Sequence, residues 1–174
     1  NMFLNYIKNL STKKKVKNKL SNVAHVTNDN LIKTVGIIFD ETYFKEKEGL
    51  IQELVQRGIA EQDIDILVFK NYIKKNQTFN WPFFSNKNLN WNATFDKTEV
   101  NNFINQPFDL LINYYDVEKP ALILVSHLSK ASFKTGFSSI DKRLNHFMIN
   151  TPVENYKVFT NELFMYLKIL NKIK

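Results

Sequence analysis

Cysteine is absent from the 174 residues, which excludes disulfides, thiolate nucleophiles, Cys-ligated zinc and iron–sulfur clusters. Glycine occurs only four times. Neither G-x-x-x-x-G-K-[ST] nor G-x-G-x-x-G can be written anywhere, so the two glycine-rich phosphate loops are ruled out. The three histidines, His25, His127 and His146, stand far apart with no i, i+4 pair, and the sequence carries no metal motif and implies no cofactor. There is no G-x-S-x-G elbow. Ser126 and His127 are neighbours on an expected helix and point about 100° apart, so they cannot form a nucleophile–base pair with each other. No apolar run approaches the length of a membrane-spanning helix, and the N-terminal region lacks a continuous apolar signal core. With the missing cysteine, this favours a cytoplasmic protein, soluble or peripheral to a membrane. Arginine is scarce too: Arg57 and Arg143 stand among 24 basic residues. Base-specific nucleic-acid reading favours the planar guanidinium fork, so such a role is disfavoured.

What is present is positive charge in one place. The formal net charge is +7, yet residues 1–33 hold seven lysines against Asp29 alone, and the remainder is nearly neutral. In MFLNYIKNLSTKKKVKNKLSNV, apolar residues recur at spacings of three and four with lysines between them, which predicts one helix or two. Lys13, Lys14, Lys15, Lys17 and Lys19 make this a basic arm suited to an acidic partner: RNA, an anionic membrane surface or an acidic protein. The competing reading is a helix docked on its own domain with its lysines in water. Residues 1–33 are read as the arm and 34–174 as a single α/β domain.

TVGIIFD (34–40) and DIDILVFK (63–70) are β-branched runs separated by a helical pattern that stops near Gly58, a βαβ unit with parallel strands. FDLLINYYD (108–116), SFKTGF and FMIN read as further strands. Pro120 opens a helix through Leu128. A helix from Asp96, with Glu99 as its capping-box partner, ends before Pro107. Thr151-Pro152-Val153-Glu154 predicts the start of the last helix. Between 79 and 95 the aromatics Phe79, Trp81 and Phe83, then Leu89, Trp91 and Phe95, alternate with polar residues. That period predicts an inserted hairpin turning at 85–87, its aromatic face either on the core or a platform for bases. The whole is a three-layer α/β/α sandwich around a mainly parallel sheet.

In open α/β sheets, sites form beyond the carboxyl ends of the strands. Asp40 and Glu41 end the first strand and Asp116 a later one. These three carboxylates are the candidate acid–base or metal-binding groups, with helix capping as the plainer role for Asp40 and Asp116. In KTGFSSIDKR, Lys134, Ser138, Ser139, Lys142 and Arg143 could cradle an anion; the Ser138–Asp141 spacing equally predicts a cap on a short helix.

The basic start MFLNYIKNL with KKKVKNKL, the strand TVGIIFDE, and NYYDVEKPALILVSHLSKASFKTGFSSIDKRLNHFMIN together resemble a family of uncharacterised proteins from Bacteroidota, a domain of unknown function. The resemblance implies a bacterial cytosolic protein and supplies no activity, cofactor or catalytic residue.

Overall fold

The structure is a computed structural model, described for residues 2–25 and 29–174. Helix α1 (Met2–Asn18) precedes β1 (Val35–Asp40), α2 (Lys47–Gln56), β2 (Ile64–Phe69), β3 (Phe83–Phe84), α3 (Thr98–Asn105), β4 (Leu110–Tyr114), α4 (Pro120–Leu128), β5 (Phe133–Phe137), β6 (Phe147–Ile149) and α5 (Tyr156–Ile169). The strands form one sheet in the order β3-β2-β1-β4-β5-β6, and every neighbouring pair is parallel. β1, β4 and β5 are buried along their whole length, as central strands covered on both faces are, which explains the mainly apolar runs of β1 and β4.

Alternation along each strand divides the core in two. Val35, Ile37, Phe39, Ile112 and Tyr114 face α2 and α5, where they meet Leu50, Leu54, Phe159 and Leu163. Ile38, Leu67, Leu111 and Tyr115 face α3 and α4, and Val16 and Leu20 from the arm join that layer. The result is the expected three-layer α/β arrangement. Helix α2 stops at a Schellman turn: Gly58 takes φ +100°, its N–H bonds Val55 O, and the N–H of buried Ile59 bonds Leu54 O.

Three local expectations are corrected. The aromatic segment is not a two-armed hairpin. Phe83–Phe84 pair in parallel with β2 as the sheet edge, a short 3-10 turn follows at Asn86–Asn88, and only Leu89 and Phe95 bridge in antiparallel fashion. Helix α3 opens at Thr98 without a side-chain cap, because the Asp96 carboxylate accepts from Asn88 Nδ2 instead. Helix α5 opens at Tyr156, because residues 151–155 form a turn whose Val153 carbonyl is held by the Tyr114 hydroxyl at 2.6 Å.

Candidate functional site

The strand order reverses at β1, which places the carboxyl ends of β1 and β4 side by side, where doubly wound sheets bind ligands. Asp40 ends β1 and is almost fully buried. Its Oδ1 accepts the Thr42 N–H at 3.0 Å and its Oδ2 lies 2.7 Å from Lys119 Nζ. That ammonium also donates to Asn71 Oδ1 at 2.9 Å and Thr42 Oγ1 at 3.3 Å, and sits near the rings of Tyr43 and Phe69. Burial pulls the Lys119 amine below the usual lysine range, with Asp40 opposing. Asp40 therefore does not cap α2, which begins seven residues later; it anchors the tight turn after β1 and neutralises Lys119.

Glu41 is held by Lys70 and, at 3.8 Å, by Lys47. Burial raises its carboxyl, and these lysines bring it below the usual range. Asp116 does not cap α4 either, since the residue preceding that helix is Lys119. Burial, aided by the charges of Glu154 and Asp40, pushes the Asp116 carboxyl up. Among the described residues no group of three His, Cys, Asp or Glu side chains is placed to hold a metal.

The same strand order serves dinucleotide-binding proteins, so the crevice can be tested for that fit. The β1–α2 connection contains no glycine, and Phe44 within it packs against Tyr114 at 4.6 Å. Tyr114 in turn meets Phe137 and Phe159 at about 5 Å. Glu46 and Glu48 flank the start of α2, where phosphates would need free amides and positive charge. The residues present do not fit a dinucleotide.

The candidate anion residues separate. Asp141, not Ser138, caps the short helix Lys142–Leu144, and Arg143 is clamped on the Asp141 carboxylate at 2.7 Å and 2.9 Å. Ser138, Ser139 and Lys142 are exposed, with Ser139 Oγ donating to Asp116 O. Lys134 and Arg143 line a different place: a cavity of about 390 Å³ that also contains His25, His127 and His146. Histidines scattered in sequence converge there at the amino ends of β5 and β6. His146 is fixed in one neutral tautomer: its Nδ1 accepts the Lys134 N–H at 2.9 Å and its Nε2–H donates to Ala24 O at 2.6 Å. Burial pushes the His146 imidazole down, as it does that of His127.

The arm is docked by its second half, while its first half exposes its large apolar side chains. Val16 and Leu20 are buried. Lys17 pairs with Glu118 at 3.0 Å and Asp141 at 3.6 Å, Arg143 donates to Leu20 O, and Val23 N–H bonds Arg143 O. Met2, Phe3, Leu4, Tyr6, Ile7 and Leu10 are all exposed, between 43% and 89%. Lys8, Lys14, Lys15 and Lys19 are exposed as well, and Lys13 is half-buried. Across a groove of about 720 Å³ from Leu4 and Ile7 stands Trp91, which is 97% exposed. No helix among the described residues is long and apolar enough to cross a membrane.

Fold and surface together define a doubly wound α/β protein whose β1–β4 crevice holds the Asp40–Lys119 pair and whose basic first helix exposes apolar side chains. The chain belongs to the DUF6913 family, a family of unknown function, whose model matches residues 8–170. No curated protein matches the chain.

Proposed function

We propose that this protein is a binding module that sits on an anionic membrane surface through α1, on the cytoplasmic side. The observation that carries the reading is the polarity of α1 along its length. Its first nine residues expose six large apolar side chains and extend about 13 Å, while the lysines gather in the next turns. An apolar tip that enters the interface, followed by a lysine collar at the level of the headgroups, suits an acidic bilayer better than a nucleic acid. Lys8, inside the apolar stretch, can reach back to the headgroups along its own aliphatic stem. The exposed indole of Trp91 adds a residue type favoured at bilayer interfaces.

The test is vesicle co-sedimentation of the full chain. Binding is expected to vesicles containing phosphatidylserine and not to neutral ones, and to weaken with salt. Replacing Lys13, Lys14 and Lys15 by glutamine removes about 1 kcal/mol per lysine, a loss of roughly 100-fold in affinity. Deleting residues 2–20 would be a poorer perturbation, since it strips Val16 and Leu20 from the core. Retention of RNA on filters with no binding to acidic vesicles would overturn the membrane reading in favour of a phosphate-backbone partner.

A second reading, a small enzyme using the rim carboxylates, is favoured by one observation: the raised carboxyl of Asp116, a group tuned toward proton donation. It requires a turnover that Asp116→Asn abolishes while the melting temperature is unchanged.

A further inference from the structure

We propose that the cavity at the amino ends of β5 and β6 is a binding site for a phosphate monoester. Its volume of about 390 Å³ falls within the ~300–1,000 Å³ of small-molecule sites. Lys130, Lys134 and Arg143 line it with all three histidines, and among the described residues its lining contains no carboxylate. Arg143 is already balanced by Asp141. Among the described residues Lys134 has no counter-charge: it is 6% exposed, and Nζ donates to backbone carbonyls, Ser126 O at 2.8 Å and His127 O at 3.2 Å.

A buried ammonium with no counter-charge is costly, and the negative end of α4 compensates only in part. Desolvation accordingly holds this amine low, near 8. The remaining unmet need of that ammonium is an anion, and the cavity is where one can reach it. Lys130, exposed at the mouth, supplies a second cation. The half-buried His127 ring supplies a neutral N–H donor. His146 is not available as a ligand, since both of its nitrogens are engaged; it orders the wall by tying Ala24 to β5. A terminal phosphate dianion matches two ammonium groups and a neutral donor better than a carboxylate does, because it offers three acceptor oxygens to them.

The lysine itself is the sequence signal for this site. In Phe133-Lys134-Thr135-Gly136-Phe137 a cation occupies the second position of a fully buried strand, where burial without an acidic partner is rare.

Inorganic phosphate and glycerol 3-phosphate are titrated into the full chain by calorimetry, at ionic strength matched with chloride. The site predicts saturable binding of both, a dissociation constant raised at least about tenfold by Lys130→Ala, and no saturable binding to Lys134→Met. Lys130 is exposed, so its variant keeps the test valid if Lys134→Met fails to fold. The variant carrying glutamine at positions 13, 14 and 15 binds glycerol 3-phosphate as the wild type does, which separates this site from the membrane reading. In that same background, binding confined to vesicles carrying phosphatidate would assign the monoester to a lipid headgroup; binding of soluble glycerol 3-phosphate assigns it to a free phosphoester. Absence of saturable binding to every one of these probes, or a dissociation constant that neither lysine substitution changes, overturns the proposal.

Discussion

Lys119→Met would test whether the carboxyl-end crevice is built for stability. Lys119 stands immediately before α4, at the end of a helix where the dipole disfavours a cation; its compensation is Asp40, 2.7 Å away and 2% exposed. At an effective dielectric constant of about 20, two charges at this separation attract by about 6 kcal/mol before desolvation is subtracted. Removing the ammonium leaves a buried carboxylate supported only by the Thr42 N–H, and such orphaned charges cost about 3–5 kcal/mol. Against a total stability of about 5–15 kcal/mol, that is a large fraction. It corresponds to a fall of roughly 6–20 °C in melting temperature for a chain of this size. The assay is urea denaturation followed by far-UV circular dichroism. The midpoint should drop with m unchanged, and the double variant Asp40→Asn/Lys119→Met should recover at least about 1 kcal/mol of the loss, a non-additivity expected only of partners in contact. A Lys119→Met chain within about 1 kcal/mol of wild type would refute the reasoning: the pair would then be solvent-screened and the crevice open to ligands.

Three further outcomes follow from the same geometry. Because the Lys134 amine lies near 8 in the folded chain and near the ordinary lysine value when unfolded, the unfolded state binds more protons between those values. Stability therefore rises with pH from about 8 towards 10, by up to about 3 kcal/mol, and the rise is smaller in Lys134→Met. Above about 10 the buried Tyr114 and Tyr115, held protonated mainly by desolvation, act in the opposite direction. Gly136→Ala would place a Cβ 2.6 Å from Asn145 Nδ2 and 3.2 Å from Asn113 O, disturbing the buried Asn113–Asn145 hydrogen bond; a loss of about 1–3 kcal/mol is expected in urea melts. Trp91→Ala should leave folding stability within about 0.5 kcal/mol of wild type while weakening retention on phosphatidylserine vesicles.

The layers were legible where local pattern and tertiary role coincide. Runs such as residues 35–39 carry no polar side chain because both faces are covered, and the spacing of the first two strands forces a parallel pair. Helix starts were misplaced where capping side chains had tertiary partners: Asp96 is engaged by Asn88, and the turn containing Thr151 is held by Tyr114. The aromatic alternation from Phe79 to Phe95 imitates two strands, but its residues go to different ends. Phe84 and Phe95 enter the core, whereas Trp91 is almost wholly exposed. Strand order had no local signature at all.

For the site, charge concentration in the arm can be read from the lysines, but its division into a docked half and a half with exposed apolar side chains cannot, since that depends on Glu118 and Asp141 meeting Lys17. Asp40 is marked in the sequence by its strand-end position. Its partner Lys119 carries a weaker signal, a lysine beside the positive end of a helix, which is itself a sign of a nearby carboxylate. The three histidines share a cavity only because the segment after α1 returns to the start of β5, a contact that spacing cannot foretell.

The most direct measurement of the central claim uses Trp91 as the probe. With Trp81 replaced by phenylalanine, Trp91 is the remaining indole, and its emission is followed as vesicles containing phosphatidylserine and bromine-labelled lipid are added. A blue shift with quenching by the brominated chains, both reversed by salt, is the predicted result. Emission that stays at the wavelength of a water-exposed indole, while vesicle and protein are shown to be bound together, would contradict the proposed docking face.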